Sequence, residues 1–198
     1  KHRSIVSLPN GARVGTSSLR RQSQLLPLRR DLVVANLRGN LDTRLRKLDE
    51  QQYDAILLAC AGLDRLGHQD RIVERLSIKQ LCPAVGQGAL GIETRETDIF
   101  TQRRLECLHH PPTCFAVTAE RAFLRRLGGG CQVPIAGHAW IEASSLEMLG
   151  VVASADGQQL FRDQLSAPLE QATELGSQLA ERLLANGASE IIKGLSNP

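Results

Sequence analysis

The sequence predicts an α/β unit with a mixed, mainly parallel sheet, followed by a small α+β unit. From Gly11 to about Gly67, short apolar segments alternate with amphipathic helical segments, which is the pattern of strand–helix–strand units around such a sheet. From Pro134 onward, three strand-like segments come first and one long helical segment follows. That order is typical of a three-stranded antiparallel sheet with helices packed against it.

In the first unit, the elements follow from hydrophobic periodicity. The predicted strands cover residues 13–15, 32–36 and 55–59, and the predicted helices run from residues 16–18 to about 26 and from 41 to 50. Residues 55–59 are apolar throughout, which predicts a central strand covered on both faces. Arg29, Arg30 and Asp31 are expected to form only a solvated helix end.

Proline and glycine divide the rest of the chain. Pro83, Gly86 and Gly88 interrupt the pattern as a hinge or crossover would. The segments after this interruption predict a strand at residues 89–93, helices at 100–108 and 113–127, strands at 134–141, 146–153 and 159–165, and a helix at 169–186 that Gly187 stops.

Composition narrows the class of protein. No apolar run in the 198 residues approaches the roughly 20 needed to span a bilayer, and no leader-like segment opens the chain, so we expect a cytoplasmic protein without a membrane partner. The first residue is Lys1, and we expect the chain to be part of a longer polypeptide. Five cysteines without a Cys-x-x-Cys pair argue against a disulfide framework and against a metal site.

Arginine carries most of the positive charge, with 20 of the 24 basic residues. Residues 1–75 hold 14 basic and 8 acidic side chains (+6), whereas the remainder holds 10 and 13 (−3). Arginine favours planar, bidentate recognition of carboxylate or phosphate, so the bias predicts an anion site in the first part of the chain. Nucleic acid is the competing partner, but with only 3% aromatic residues and no uninterrupted basic helix face we expect none.

Hydroxyl residues and arginines stand where the first predicted strand meets its helix. Thr16, Ser17 and Ser18 precede a helix whose first turn contains Arg20 and Arg21. Plain N-capping explains the hydroxyl residues equally well. Cations are unfavourable at the positive end of a helix unless an anion is present, so the two arginines favour an anion site.

The same arrangement recurs at the next two strands. Arg38, Gly39, Asn40 and Arg44 follow the second predicted strand, and Arg65 follows the third. Because the carboxyl ends of strands in an open α/β sheet point into one crevice, we expect these arginines to converge there with the first pair. So many cations suit a ligand with several carboxylates.

The cysteines differ in their predicted environments. Cys131 follows three glycines, which carry no side chain to bury the sulfur, so we expect it on an exposed, shaped loop. The alternative is a small buried cysteine after a helix that ends in glycine. Cys60 is expected to be buried, Cys107 and Cys114 lie on helical segments, and Cys82 is restricted by the following proline, which leaves Cys131 as the expected nucleophile.

Five motifs follow one another along the chain: VGTSSLRR at residues 14–21, LRGNLDTRL at 37–45, PAVGQGA at 83–89, AERAF at 119–123 and GGCQVP at 129–134. In this order they resemble the porphobilinogen deaminase (hydroxymethylbilane synthase) family. The resemblance covers nearly the whole chain.

The resemblance implies a transferase that condenses four porphobilinogen molecules head to tail into hydroxymethylbilane, with release of ammonia, in tetrapyrrole (haem and porphyrin) biosynthesis. It implies a dipyrromethane cofactor joined to Cys131 through a thioether. Cofactor and substrate would be bound by the following residues: Thr16, Ser17, Ser18, Arg20, Arg21, Arg38, Gly39, Asn40, Arg44, Arg65 and Gln87.

The implied fold is periplasmic-binding-protein-like with an added C-terminal domain, and the implied protein is a monomer. Its domains would be an α/β domain two with an arginine-lined cleft at residues 1–82, a hinge at 83–88, a return segment of domain one at 89–108 and an α+β domain carrying the cysteine at 109–198.

Two departures from the family pattern affect the expected activity. The His-Ser-x-Lys-Asp motif, whose aspartate stabilises the cation formed when ammonia leaves, is not among the 198 residues. We therefore expect no catalytic residue in this stretch and no turnover by the chain alone. Gly128 replaces an acidic residue that is common in the family. The alternative is a non-catalytic, polycarboxylate-binding module of the periplasmic-binding-protein type, which would carry no pyrrole on Cys131.

Overall fold

Two sheets organise the part of the chain, residues 2–128 and 133–196, that the computed structural model describes. The first sheet is parallel with the order β2-β1-β3, and the second is antiparallel with the order β4-β5-β6. The strands are β1 (Arg13–Gly15), β2 (Val33–Ala35), β3 (Ala55–Ile56), β4 (Ile135–Glu142), β5 (Ser145–Ala153) and β6 (Leu160–Pro168). The predicted α/β and α+β units are confirmed.

Seven α-helices accompany the strands within these residues. They are α1 (Leu19–Leu25), α2 (Leu41–Asp49), α3 (Cys60–Arg65), α4 (Ile99–Leu105), α5 (Pro111–Arg126), α6 (Ala172–Leu183) and α7 (Ser189–Ser196). Side chains of Ser18, Asn40 and Asp98 accept backbone N–H groups at the starts of α1, α2 and α4, as N-caps do. None of the helices in the described residues is long and apolar enough to cross a membrane.

The prediction of a central strand at residues 55–59 is wrong. The central strand is β1, and β3 is a two-residue edge strand from which the chain turns into α3 at Cys60. Leu57 still donates its N–H to the carbonyl of Gly15 (3.0 Å), and its side chain packs with Ala55 against a small core that includes Val14. An apolar run shows that side chains are covered, but it does not show whether another strand or a helix covers them.

The strand predicted at residues 89–93 is also absent, since no ladder forms in this part of the described chain. Leu90 and Ile92 are 77% and 58% exposed. Their alternation fits a strand, but a strand needs a neighbouring strand for its N–H and C=O groups, and none lies beside these residues.

The α+β unit buries one face of its sheet under helices α5 and α6. Phe123, Met148, Leu175 and Leu179 are fully buried in the shared core. The predicted helix at residues 169–186 is confirmed as α6 with the turn that follows it, and Gly187 is confirmed as its stop. Gly187 has φ = 115° inside a kinked turn at residues 184–188, after which the chain continues as α7. Glycine tolerates this positive φ, which is not a helical value, so the first helix ends here and α7 begins after it.

Residues 82–87, called the connecting segment below, contact both units. On the side of the α+β unit, the N–H of Gly137 donates to the carbonyl of Pro83 (3.1 Å). The buried carboxylate of Glu120 accepts the N–H groups of Gly86 (2.5 Å) and Ala139 (2.9 Å). One carboxylate therefore joins the free edge of β4 to the connecting segment. A hinge role for residues 83–88 stays a prediction.

The close approach of α5 and α6 gives a test of the packing. A Cβ at Gly176 would lie 2.1 Å from the carbonyl oxygen of Ala119, whereas a Cβ at Gly194 would meet nothing within 4 Å. We expect Gly176→Ala to lower the free energy of unfolding by about 3 kcal/mol, because the helices must separate. Gly194→Ala, the control, should leave it unchanged or raise it by up to about 1 kcal/mol. Urea unfolding followed by circular dichroism measures both; equal effects would contradict this packing.

Candidate anion-binding site

The polar groups at the start of α1 are largely used in hydrogen bonds within the protein. The N–H of Thr16 donates to the carbonyl of Ala35 (2.9 Å), and the Thr16 hydroxyl accepts the N–H of Ser18 (3.2 Å). The Ser18 hydroxyl in turn accepts the N–H of Arg21 (3.4 Å). The N-capping alternative is therefore correct for Ser18, while Ser17 is exposed beside it. Any anion site here depends on the arginine side chains.

Arg21 and Arg44 lie on the same pocket. The guanidinium of Arg21 donates to the carbonyl of Leu57 (2.9 Å), and that of Arg44 donates to the carbonyl of Gly39 (2.8 Å). The pocket has a volume of about 310 Å³ and is lined by Arg21, Gly39, Asn40, Leu41, Arg44, Leu58, Ala59, Gly62 and Leu66. Burial, and then the charge of Arg44, lower the pKa of Arg21. The two cations therefore repel one another across the pocket.

Arg20 extends from the same turn of α1 toward the connecting segment. Its guanidinium donates to the carbonyl of Cys82 (2.7 Å) and to the side-chain oxygen of Gln87 (3.3 Å). Burial, and then the neighbouring charge of Arg21, lower the pKa of Arg20 to about 10. The side chain is still charged at neutral pH, so its charge is held in an unfavourable environment.

The arginines of this site lack carboxylate partners. Among the residues that the structure describes, no ion pair involves Arg20, Arg21 or Arg44. Arg71 and Arg75, farther along the same unit, each pair with an aspartate at 2.6 Å. Four arginines of the α/β unit, Arg29, Arg46, Arg71 and Arg75, form ion pairs, whereas this cluster forms none among the described residues.

The remaining predicted site residues are placed less directly. Of the five predicted arginines, Arg21 and Arg44 line the pocket, whereas Arg20, Arg38 and Arg65 do not. Arg38 and Arg65 are exposed, so the expected convergence of all five side chains is not found. Gly39 has φ = 124°, and a Cβ there would lie 2.7 Å from Thr43. Asn40 lines the pocket and caps α2 by accepting the N–H of Thr43 (2.9 Å). Glycine at position 39 thus allows the turn that begins α2.

Arg29 is not the solvated helix end that the sequence predicts. Its guanidinium pairs with Asp31 at 2.7 Å and donates to the carbonyls of Ile5, Val6, Leu8 and Pro9. The hydrogen bond from Arg29 holds the pKa of Asp31 well below its usual range. Arg29 therefore connects the N-terminal residues to the segment that follows α1. The run of charged residues in the sequence could not predict these hydrogen bonds, because their acceptors are backbone carbonyls about 20 residues earlier in the chain.

Cys131, the predicted nucleophile, lies outside the described residues. Of the others, Cys82 is buried, and burial raises the pKa of its thiol to about 12. Cys60 is half-buried instead of buried, and Cys107 and Cys114 are exposed, because both lie on solvent-facing turns of their helices. Exposure alone therefore does not distinguish Cys131 from the other cysteines. No cluster of three or more potential metal ligands occurs among the described residues.

Two family models match almost the entire chain. One is described as "Porphobilinogen deaminase, dipyromethane cofactor binding domain" and matches residues 1–103. The other, described as "Porphobilinogen deaminase, C-terminal domain", matches residues 114–185. The chain belongs to the porphobilinogen deaminase family. The resemblance inferred from the five motifs is confirmed.

Curated relatives support the same assignment. A porphobilinogen deaminase of Syntrophotalea carbinolica is 54% identical over 193 residues, which are 98% of this chain and 61% of that protein. The porphobilinogen deaminase of Syntrophobacter fumaroxidans is 51% identical over 96% of this chain and 61% of its own length. That of Geobacter sulfurreducens is 48% identical over 95% of this chain and 59% of its own length. The chain spans about 60% of the length of the curated relatives it matches.

The unpaired arginines predict selective binding of polycarboxylates. We expect Arg44→Lys to weaken binding of benzenehexacarboxylate about tenfold or more, because an ammonium group cannot supply the bidentate fork and a hydrogen bond to a charged group contributes about 1.5–3 kcal/mol. Arg46→Lys is the matched control, since Arg46 is exposed on the same helix, does not line the pocket and pairs with Glu50 at 3.8 Å. Isothermal titration calorimetry measures both. Equal losses would indicate general electrostatics instead of a shaped site.

Proposed function

We propose that this chain is the part of a porphobilinogen deaminase that binds pyrrole carboxylates and carries the dipyrromethane cofactor. The whole enzyme would condense four porphobilinogen molecules head to tail into hydroxymethylbilane, with release of ammonia, in tetrapyrrole biosynthesis. The observation that supports this most is the cluster of Arg20, Arg21 and Arg44, which has no carboxylate partner among the described residues.

The chemistry of the donors fits this cofactor and substrate. Each pyrrole bears an acetate and a propionate, so the ligand is a polyanion, and guanidinium groups bind carboxylates through paired hydrogen bonds. Arg21 and Arg44 would hold carboxylates at the pocket, and Arg20 would hold one beside the connecting segment. Thr16, Ser17, Ser18, Arg38, Gly39, Asn40, Arg65 and Gln87 complete the proposed binding set. When bound, the cofactor supplies the pyrrole to which the first substrate is joined.

The protein's own residues keep the ligand's charges in place but do not move protons in this proposal. Arg20 and Arg21 are already fixed by backbone carbonyls, so little side-chain freedom is lost when a carboxylate binds. A monomeric state, a cytoplasmic location and the lack of a nucleic-acid partner stay predictions from the sequence and the family.

The attachment site can be tested in the complete polypeptide. We expect Cys131→Ser to abolish the covalent pyrrole adduct, because a hydroxyl is a far weaker nucleophile than a thiolate. Cys114→Ser is the matched control, since that thiol is exposed on α5, and it should leave the adduct in place. Intact mass followed by peptide mapping reads out both. An adduct on a peptide without Cys131 would refute the assignment, and no adduct in the wild type would favour the non-catalytic binding module.

A second prediction concerns turnover. The 198-residue chain by itself should not convert porphobilinogen at a rate typical of enzymes, because the family's aspartate motif is not among its residues. A missing electrostatic or proton-transfer group commonly costs about 10²–10⁴ in rate. The measurement is ammonia release by the purified chain beside a complete enzyme of the same family. Comparable rates would require a catalytic carboxylate within these residues.

A further inference from the structure

The buried side chain of Gln24 contacts the connecting segment from the α/β unit. Gln24 is 2% exposed and lies one helical turn after Arg20 on α1. Its amide nitrogen donates to the carbonyl of Cys82 (3.0 Å), and its amide oxygen accepts the N–H of the same residue (2.8 Å). The amide nitrogen also donates to the carbonyl of Arg20 (3.1 Å). One side chain thus fixes both polar backbone groups of Cys82.

The carbonyl that Gln24 fixes is also the acceptor of Arg20. The guanidinium of Arg20 donates to the Cys82 oxygen at 2.7 Å, the shorter of its two contacts with the connecting segment. An acceptor orients a guanidinium only if the acceptor itself cannot turn. Because Gln24 bonds to both the N–H and the C=O of Cys82, it holds the two peptide groups that flank this residue, and the carbonyl keeps one orientation.

We infer that Gln24 is a positioning residue that acts through Cys82 to hold the Arg20 guanidinium in its carboxylate-binding orientation. This inference rests on the proposed role of Arg20 in binding carboxylates. Neither Arg20 nor Gln24 lines the pocket of Arg21 and Arg44, and Gln24 is only 2% exposed, so Gln24 would not itself contact a carboxylate bound at Arg20. The lowered pKa of Arg20 fits the same arrangement, because a cation in this environment depends on fixed acceptors.

Ser23 provides a matched control on the same helix. It is fully buried like Gln24, and its hydroxyl donates to the carbonyl of Arg20 (3.3 Å), but it makes no hydrogen bond to Cys82 in the described structure. Gln24→Met keeps the length of the side chain while removing the amide. Ser23→Ala removes a buried hydroxyl from α1 without touching the connecting segment.

The experiment follows modification of Arg20 by phenylglyoxal in the 198-residue chain, with peptide mapping by mass spectrometry. We expect Gln24→Met to increase the modification rate at Arg20 about three- to tenfold, the range for loss of one or two hydrogen bonds. The rates at Arg44 should not change, and Ser23→Ala should leave Arg20 as in the wild type. An unchanged Arg20 rate in Gln24→Met, or an equal rise in Ser23→Ala, would overturn the inference.

Two further measurements keep the inference separate from folding and from the proposed function. If Gln24→Met does not fold, ¹⁵N NMR of the guanidinium groups in the wild type replaces that variant. The guanidinium of Arg20 should rotate at least about threefold more slowly than that of the exposed Arg38. Equal rotation rates would overturn the inference. Protection of Arg20 by benzenehexacarboxylate tests the proposed function instead. If benzenehexacarboxylate does not slow modification of Arg20 while Gln24→Met still speeds it, carboxylate binding is rejected. The positioning of Arg20 by Gln24 then still holds.

Discussion

The parallel pairing of β1 and β2 decides where the positive charge of this chain lies. Gly15 and Ala35 are partners at the ends of these strands, so the chain leaves both strands at the same edge of the sheet. The helices that follow begin there side by side, and each contributes an arginine to the edge. Arg21 and Arg44 are far apart in sequence, yet the strand register brings them to a single pocket. The pocket shared by Arg21 and Arg44 is thus a direct consequence of two strand–helix units in parallel.

Charge balance separates Arg20 and Arg21 from Arg29 in the same unit. Arg29 lies in the same unit, but its charge is neutralised by Asp31 two residues away. Arg20 and Arg21 are held by carbonyl oxygens, which orient a guanidinium without cancelling its charge. Without a bound anion, two neighbouring guanidinium groups that are partly buried repel each other and are poorly solvated. A bound carboxylate would reduce the repulsion between the two guanidinium groups, and this relief would contribute to the ligand's binding free energy.

The sequence predicted the order and type of most elements, because their hydrophobic periods are regular and their caps are typical. It failed where tertiary partners decide the outcome. Residues 55–59 are apolar enough for a central strand, but the chain turns into a helix after two paired residues, and Leu58 lines the pocket instead. Arg21 and Arg44 line one pocket, as the strand–helix pattern suggests, and binding of an anion there stays a prediction. The role of Gln24 could not be predicted, since its partner Cys82 is 58 residues away.

The contacts of Arg20 explain how one side chain can both hold the connecting segment and bind a ligand. A guanidinium has five N–H donors, and the described structure uses one on each terminal nitrogen, toward Cys82 and Gln87. The other donors are enough for a bidentate carboxylate. Ligand binding therefore need not break the contact with the connecting segment. Because Glu120 of the α+β unit holds the same segment at Gly86, a carboxylate on Arg20 would be bound to a group that both units fix.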